Sequence, residues 1–531
     1  MSMIDEKQLS VFRPAGTPDG LEELRTLVNT AIDTLRDAHL VRRGPVLPGG
    51  PPAAAAAARE ALAGPLLPSV PEPAGDVFRG LIEAYAQWSV DITHPAAVAR
   101  MQCPPTTVAV AAELVAATLN QSLHAWESGP FALELERYVV RELAALAGYG
   151  PQAGGTLTAG GSISNLMAVL AARDNILGDG SGRTPFAAGL AAASRRPVVL
   201  CSDATHFSIG RALGITGLGE DAVLAAPADT AGRLIPGELD RLLGELPDDI
   251  APVAVIACAG STDEGWTDRL PELAEVAHRH GVWLHADAAY GGGALMSPRL
   301  RGLLDGIAQA DSITLDLHKF GWTPASTGVF LVRDAASLTP LAQQTTTLNA
   351  VDDKEAGYFG LYGSSVQATR RADALKVAVT MRAYGKDGMA ALVDRCHDLA
   401  LHAAGRIAAE PRLHLAVTPL LSTVLFRYLP DSAPEATSED VDAFNGALRR
   451  RLMADGTALL ARTRVAQPDG ARPVFLKLMM LNPGTAPEAV DQVLDAIVST
   501  ARALDAEAAA DPGQGDTTAG ERLAAAADRE A

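Results

Sequence analysis

One lysine of this chain stands where an ordinary surface role explains it poorly. Lys319 follows a short apolar segment, residues 312–315, and it is one of only six lysines in 531 residues. Burial favours the neutral, nucleophilic form of an amine, and that form makes Schiff bases with carbonyl compounds. The alternative is a lysine at a strand end that extends its ammonium group to solvent.

An aspartate occupies a comparable position upstream. Asp287 follows the apolar segment 282–285 and precedes two small residues, Ala288 and Ala289. A carboxylate there can keep the pyridinium nitrogen of a cofactor protonated, so that the ring serves as an electron sink. The small residues would let a flat ring lie against the backbone. Alone, Asp287 is interpreted equally well as a helix N-cap, but its pairing with Lys319 about thirty residues later makes the chemical interpretation more specific.

A glycine turn could supply an anion site. Residues 156–167, Thr-Leu-Thr-Ala-Gly-Gly-Ser-Ile-Ser-Asn-Leu-Met, predict a strand, a tight turn and the start of a helix. Backbone N–H groups of Gly161 and Ser162, at the positive end of that helix, would bind a phosphate. Helix capping alone also explains such a turn.

The segments around Asp287 and Lys319 together resemble one enzyme family. His-Ala-Asp-Ala-Ala-Tyr-Gly-Gly at 285–292, followed by Asp-Leu-His-Lys at 316–319, is similar to the group II pyridoxal-phosphate-dependent amino-acid decarboxylases. Members of that family act on aromatic amino acids, glutamate, histidine, 2,4-diaminobutyrate or lysine. The resemblance extends from about residue 75 to about residue 505. It implies pyridoxal 5'-phosphate as the cofactor and a fold-type-I architecture.

The resemblance also implies roles for residues that carry little information alone. His206 would stack on the cofactor ring, and Thr262 would lie near the cofactor and the substrate carboxylate. Arg371 matches an arginine near the family's active site, where its fork suits a carboxylate. A histidine satisfied by backbone groups, a strand-end threonine and a solvated helix face are the alternatives. We predict catalytic roles for Lys319, Asp287 and His206, no metal ligands, and cofactor contacts from Gly161, Ser162, His206, Thr262, Asp287, Ala289, His318 and Lys319.

Two positions depart from the family pattern. Many members carry a tyrosine on a loop after the lysine, which is thought to return a proton after decarboxylation, and Thr347 stands in its place here. Tyr358 and Tyr362 lie nearby among glycines and are the candidate donors on a mobile loop. Diamine-acting relatives have an aspartate where this chain has His124, which is a poorer match for a distal ammonium group. With Arg371, these residues form the predicted substrate-contact set.

Composition argues against several other classes. The net charge of −19 and the isoelectric point near 5.0 do not suit nucleic acid or anionic membranes as partners. The four cysteines are widely spaced and form no metal-binding pattern, which is typical of reduced thiols. No apolar run is long enough to cross a bilayer and no signal peptide is recognisable. We therefore expect a cytoplasmic protein.

These residues need a scaffold, and the apolar pattern predicts a doubly wound α/β one. From Thr106 onward, helices alternate with short apolar strands, which indicates a mostly parallel sheet with the site at the carboxyl ends of its strands. The predicted strands are 198–201, 222–224, 253–258, 282–285, 312–315 and 328–332. The predicted helices are 106–123, 131–148, 162–177, 206–214, 236–246 and 268–280.

The chain divides into four predicted regions. Residues 1–105 carry helices at 21–40 and 77–92 around a Pro- and Ala-rich linker, and the resemblance implies that they form a dimerisation arm. Residues 106–385 form the large cofactor-binding domain, 386–505 a small α+β domain, and 506–531 a disordered acidic tail. Within the later regions we predict helices at 365–384, 388–409, 438–454 and 487–505, and strands at 420–428, 457–464 and 473–480.

Taken together, the sequence predicts a homodimeric enzyme that removes the α-carboxyl group of an L-amino acid and releases an amine. The substrate is dibasic, such as 2,4-diaminobutyrate or lysine, or aromatic. One alternative is an oxidative decarboxylase that forms an aldehyde. The other, from a different class, is a non-catalytic nucleotide-binding or scaffold protein whose glycine turn and strand-end aspartate are only structural.

Overall fold

Two β-sheets organise the protein. The computed structural model describes residues 13–178, 184–190, 193–341, 350–431, 437–467 and 469–510. Two hydrophobic clusters pack against the larger sheet, one on each face, and a third packs against the smaller sheet. Helices cover both sheets. The result is the mixed α/β architecture that the sequence predicts.

The larger sheet has seven strands. They are β1 (Gly154–Thr158), β2 (Arg196–Cys201), β3 (Val223–Ala225), β4 (Ile250–Cys258), β5 (Trp283–Ala288), β6 (Ser312–Asp316) and β7 (Gly328–Val332). Their spatial order is β1-β7-β6-β5-β4-β2-β3. Only β7 runs antiparallel to its neighbours, while the other pairs are parallel. The predicted doubly wound, mostly parallel sheet is confirmed.

The strands of this sheet are apolar because both of its faces are covered. Every residue of β6 and β7 is buried, and residues 253–257 of β4 are at most 1% exposed. Strands buried on both faces carry continuous apolar runs instead of an alternating pattern. This explains why short apolar segments were sufficient to locate them.

Helices surround both sheets. They are α1 (Pro18–Val41), α2 (Gly50–Ala61), α3 (Ala74–Trp88), α4 (Thr107–Leu119), α5 (Pro130–Leu146), α6 (Gly161–Leu177), α7 (Pro185–Ala188), α8 (Ser208–Ile215), α9 (Pro236–Gly244), α10 (Leu270–Arg279), α11 (Leu317–Phe320), α12 (Val351–Glu355), α13 (Ala374–Ala409), α14 (Ser438–Ala454) and α15 (Pro487–Ala510). Short 3-10 helices span Trp126–Ser128, Glu220–Ala222, Gly291–Met296, Arg301–Leu304, Ile307–Gln309, Ala335–Leu341 and Tyr362–Ser364. None of the described helices combines the length and apolarity needed to span a bilayer.

Three adjacent parallel strands align the residues that the site needs. Cys258 of β4, Asp287 of β5 and Thr314 of β6 are register neighbours near the carboxyl ends of their strands. β5 continues to Ala288, so Asp287 lies inside the strand and not beyond an end at His285, where the prediction placed it. The functional side chains therefore project from the edge where α/β proteins bind ligands.

The smaller sheet lies in the C-terminal part of the chain. Its strands are β8 (Leu413–Leu415), β9 (Thr423–Tyr428), β10 (Ala461–Arg464) and β11 (Val474–Met479), all antiparallel in the order β10-β11-β9-β8. Phe426, Phe444 and Leu476 are fully buried in its cluster. This is the predicted α+β unit, although β8 was too short to be foreseen. The domain boundaries at 386 and 505 remain predictions.

The long helix between the two units begins later than predicted. It was expected from Ser365 but starts at Ala374. The cause is Arg370, whose guanidinium turns inward to the buried carboxylate of Glu136 at 2.6 Å and fixes an irregular segment before the helix. The predicted break near residue 385 is present, because Gly385 has a φ of 65° inside α13.

Two other boundaries also differ. The strand predicted from residue 457 begins at Ala461. Residues 506–510, assigned to a disordered tail, close the last turns of α15, while residues 511–531 lie outside the described part of the chain. Alanine-rich sequence is itself helix-forming, so it extends a helix that is already docked.

The N-terminal region is helical but only partly buried. α1 packs against α3, and α2 occupies part of the segment predicted as a linker. Ile32, Leu35 and Tyr85 expose 56%, 55% and 74% of their surface. Exposed apolar rows of this kind suit the predicted dimerisation arm, which stays a prediction.

Candidate active site

Lys319 lies just past the end of β6, in the four-residue helix α11. Its Nζ atom is 3.1 Å from Oδ2 of Asp316, whose side chain is 3% exposed. The backbone N–H groups of Leu317 and His318 both donate to the carbonyl of Thr327, which anchors α11 to the start of β7. The amine is therefore held at a fixed place on the wall of a cavity.

Asp287 reaches the same cavity from the neighbouring strand. Its Oδ2 accepts a hydrogen bond from Nδ2 of Asn165 at 2.8 Å, and its Oδ1 accepts one from the N–H of Ala289 at 3.1 Å. The two hydrogen bonds fix the orientation of the carboxyl group. The arrangement presents this side chain to the ring of a bound cofactor.

The glycine turn opens directly into the cavity. Gly160 has a φ of 116°, and α6 begins at the next residue with its free N–H groups at the cavity wall. A Cβ at Gly160 would lie 3.3 Å from the His318 ring, and one at Gly161 would lie 3.1 Å from both Ala289 and Asp316. The φ of Gly160 favours glycine, and a side chain at either position would require its neighbours to shift by a few tenths of an ångström.

His206 lies on another wall, in the turn between β2 and α8. Its Nδ1 accepts hydrogen bonds from Oγ of Ser208 at 2.8 Å and from the backbone N–H of Ser208 at 3.3 Å. Burial lowers the pKa of His206, and the nearby Lys319 lowers it further, against the opposing charge of Asp287. The imidazole is therefore neutral near pH 7 and carries its proton on Nε2.

These walls enclose a cavity of about 260 Å³. All eight residues predicted to contact the cofactor line it: Gly161, Ser162, His206, Thr262, Asp287, Ala289, His318 and Lys319. They come from five separate segments of the chain, and the fold brings these segments together around one cavity.

The four predicted substrate contacts do not line this cavity. His124 is held between the hydroxyls of Ser122 and Ser128 at 2.6 and 3.1 Å, and Arg371 pairs with Glu113 at 3.1 Å. Tyr358 packs edge-on against Trp126, with ring centroids 5.0 Å apart, and Tyr362 begins a 3-10 helix in the same region. Thr347 lies outside the described residues. The roles of these residues stay predictions.

A second buried cation, missed in the sequence, lies beside the cavity. Nζ of Lys477 in β11 donates to the carbonyl of Thr262 at 2.5 Å and to Oδ1 of Asp263 at 2.9 Å, and its side chain is 7% exposed. Burial lowers its pKa, and the charge of Lys319 acts in the same direction. A lysine within an apolar strand was the only sequence signal for it.

The residues around the cavity fit pyridoxal phosphate. A Cβ atom at Gly160 or Gly161 would crowd the turn whose backbone N–H groups would bind a phosphate. Asp287 offers a carboxylate to a ring nitrogen, Lys319 offers an amine to an aldehyde, and His206 offers a flat face. This set of side chains and N–H groups matches the phosphate, the ring nitrogen, the aldehyde and the ring face of that cofactor.

The sequence matches known proteins over most of its length. The model of the pyridoxal-dependent decarboxylase conserved domain matches residues 65–429. The L-2,4-diaminobutyrate decarboxylase of Rhizobium meliloti (strain 1021) is 40% identical over 442 residues, which cover 82% of this chain and 85% of that protein. The protein of the same name from Acinetobacter baumannii is 32% identical over 433 residues, covering 80% and 83%.

A solved structure shares the fold. It is the glutamate decarboxylase domain of diaminobutyrate-pyruvate transaminase and L-2,4-diaminobutyrate decarboxylase from Vibrio parahaemolyticus. The TM-score is 0.82 at 28% identity, and the match covers 94% of this chain and 100% of that one. The likeness therefore includes both sheets and is not confined to the motifs.

Proposed function

This chain belongs to the pyridoxal-dependent decarboxylase family, and on that premise we propose that it decarboxylates L-2,4-diaminobutyrate. Family membership makes it a pyridoxal-phosphate-dependent carboxy-lyase that acts on an amino acid, and it sets aside the scaffold alternative. The 40% identity with a diaminobutyrate decarboxylase is the observation that carries the choice of substrate. The expected products are CO2 and 1,3-diaminopropane.

The side chains of the cavity divide the work of this reaction. Bound pyridoxal phosphate supplies the electron sink for the bond pair that departing CO2 leaves behind. Lys319 provides the amine that attaches the cofactor, and Asp287 holds a proton at the ring nitrogen. His206 covers one ring face, and the N–H groups of Gly161 and Ser162 bind the phosphate.

Lys477 is our candidate partner for the α-carboxylate of the substrate. Its Nζ donates to the carbonyl of Thr262, which lines the cavity, although Lys477 itself does not line the cavity and also pairs with Asp263. Arg371, the earlier candidate, pairs with Glu113, and neither of these two residues lines the cavity. Fixing the carboxylate sets the orientation of the bond to be broken, so this contact bears on both affinity and reaction type.

A second, wider cavity supports a cationic substrate side chain. It adjoins the first at Ala204 and Thr262 and has a volume of about 550 Å³. Four carboxylates line it against two guanidinium groups: Asp203, Asp229, Asp263 and Glu264, with Arg464 and Arg472. Burial, and then the charge of Asp263, raise the pKa of Glu264. Asp229 and Asp263 already pair with Arg233 and Lys477, so Asp203 and Glu264 are our candidate partners for an ammonium group entering from the first cavity.

A panel of L-amino acids tests the substrate. We expect kcat/KM for L-2,4-diaminobutyrate to exceed that for L-lysine, L-glutamate and L-tryptophan by roughly tenfold or more. Lysine places its distal ammonium group too far away, glutamate reverses the distal charge and tryptophan lacks one. CO2 release and identification of the amine are the measurements. An aromatic or acidic amino acid as the best substrate would contradict the proposal. Aldehyde, ammonia and peroxide as main products in air would instead favour the oxidative alternative.

We also propose that the enzyme works as a homodimer. The helix α4 buries Ala109, Ala112 and Ala116 on one face but exposes Val110 and Leu114 on another. Such a divided helix suits an interface. Light scattering should give a mass of twice 55.1 kDa, and a Val110→Glu, Leu114→Glu double variant should shift it towards 55.1 kDa. A wild-type protein that is monomeric at micromolar concentration would contradict this proposal.

A further inference from the structure

A continuous chain of hydrogen-bonded, buried polar side chains lies behind Asp287, and none of the sequence motifs predicted it. It runs through Trp283, Ser312, His285 and Asn165 to the carboxylate. His285 and Ser312 are 0% exposed and Asn165 is 1% exposed. Polar groups are rarely placed so deep in a parallel sheet unless each finds a partner.

The hydrogen bonds of this chain must all be donated in the same direction, because one end can only donate and the other can only accept. The indole N–H of Trp283 can only donate, and it does so to Oγ of Ser312 at 2.9 Å. The hydroxyl of Ser312 must then donate to Nδ1 of His285 at 2.8 Å, which leaves the His285 proton on Nε2, 3.1 Å from Oδ1 of Asn165. The amide of Asn165 donates at the far end to Asp287, which can only accept.

This direction of donation requires a neutral His285. Its Nδ1 must accept a hydrogen bond from Ser312 while its Nε2 donates one to Asn165. Burial lowers the pKa of His285 to about 4. At neutral pH the ring therefore has one donor and one acceptor, as the line of hydrogen bonds requires.

Asn165 is the branch point of the network. Its second amide hydrogen reaches Oγ of Ser208 at 3.0 Å, and Ser208 in turn donates to Nδ1 of His206. Its carbonyl oxygen also accepts from Thr314 Oγ1 at 2.9 Å. All four hydrogen-bonding positions of this carboxamide are filled, so its orientation is unique.

We propose that Asn165 is a positioning residue that aligns both Asp287 and His206 on the cofactor. One carboxamide on α6 fixes the carboxylate meant for the ring nitrogen and, through Ser208, the imidazole meant for the ring face. Trp283, Ser312 and His285 hold that carboxamide from behind. Without it, Asp287 loses the donor that orients its Oδ2, and the ring nitrogen keeps its proton less firmly.

The test compares Asn165→Ala with Asn175→Ala. Asn175 lies on the same helix, and within the described part of the chain its side chain bonds to the backbone carbonyls of Ala171 and Ser337, away from the cavity. In the holoenzyme, we expect Asn165→Ala to move the pH midpoint of the cofactor's visible band by at least about one unit, since the ring nitrogen governs the acidity of the linkage to Lys319. It should lower kcat roughly a hundredfold with KM within about threefold, whereas Asn175→Ala changes neither quantity.

Two outcomes would overturn the proposal. The first is an Asn165→Ala enzyme whose midpoint and kcat equal those of Asn175→Ala. The second comes from His285, and it decides the question even if Asn165→Ala fails to fold. His285→Gln keeps an amide donor for Asn165 and should resemble the wild type, while His285→Leu cannot donate and should shift the midpoint. If the Gln and Leu variants had the same pH midpoint, the proposed line of hydrogen bonds through His285 to Asn165 would be refuted.

The midpoint does not depend on which amino acid is decarboxylated. A failure of the diaminobutyrate proposal can therefore be distinguished from a failure of the Asn165 proposal.

Discussion

The Asp287 carboxylate accepts a 2.8 Å hydrogen bond from Asn165 on one oxygen while its other oxygen accepts from the backbone. Both neighbours are fixed donors, so the side chain at 287 must present acceptors on both sides. A carboxylate satisfies this requirement and a carboxamide cannot. The position therefore selects an anion for structural reasons as well as chemical ones.

Asp287→Asn tests the electron-sink role directly. The variant removes the charge at nearly constant shape, and its NH2 group must face a donor. We expect kcat to fall about a hundredfold or more while the cofactor still binds. Asp268→Asn is a matched control, because that buried carboxylate accepts from Leu234 and Cys258 but does not line the cavity. Activity of Asp287→Asn within a few-fold of the wild type would contradict the role.

His206 should act through its flat face. An aromatic stacking contact contributes roughly 1 kcal/mol, so His206→Ala should lower kcat/KM by about five- to tenfold. His206→Phe keeps the face and should retain more activity than His206→Ala. Steady-state kinetics with each variant provide the measurement. If the two variants lost activity equally, the imidazole N–H would be needed and stacking alone would be insufficient.

Lys477 should control substrate affinity more than cofactor affinity. A charge-assisted hydrogen bond contributes about 1.5–3 kcal/mol, so Lys477→Ala should lower kcat/KM by roughly ten- to a hundredfold. Lys477→Arg should recover part of the loss, because it restores the charge. Cofactor titration of the same variants should give dissociation constants within about threefold of the wild type. An unchanged kcat/KM in Lys477→Ala would exclude the carboxylate contact.

His285 should make the native state sensitive to acid. Its pKa is about 4 in the fold, against an ordinary value of 6.5, so between these values only the unfolded chain takes up the proton. Stability therefore rises with pH across this window and falls on acidification, by about 2 kcal/mol at pH 5 relative to pH 7 from this one group. Urea unfolding of wild-type protein and His285→Gln at both pH values measures the difference. A variant with the same pH dependence as the wild type would contradict the assignment.

The sequence was sufficient for the parts of the site that follow strand ends. Asp287 lies at the end of an apolar strand, and Lys319 and His206 lie within a few residues past one. Parallel strands bring their carboxyl ends to one edge. The glycine turn was recognisable because a strand and a helix flank it. Local pattern and the topology of the fold agree at Lys319, Asp287 and the glycine turn, whereas His206 and Thr262 were predicted from the family resemblance. All eight predicted cofactor contacts line the cavity.

Other residues carry no such local signal. Asn165 lies inside a helix and Lys477 inside a strand, and the contacts behind their proposed roles come from residues far away in sequence. The predicted start of α13 was wrong because Arg370 turns inward to pair with Glu136. This is a tertiary contact, which helical periodicity does not reveal. His124 and Arg371 were proposed by resemblance, and Tyr358 and Tyr362 by their place among glycines near Thr347. The cavity of the single chain includes none of the four.

The central claim is that Lys319 binds the cofactor covalently. Borohydride reduction of the yellow holoenzyme, followed by peptide mapping, measures this directly, since reduction fixes the linkage to one lysine. Lys376 and Lys477 are internal controls, because both are buried ammonium groups with carboxylate partners. We predict that the reduced cofactor is found on the peptide that contains Lys319, and that Lys319→Ala retains its fold but loses the label and turnover. A label on Lys376, Lys477 or any other lysine, or a labelled Lys319→Ala protein, would contradict the account.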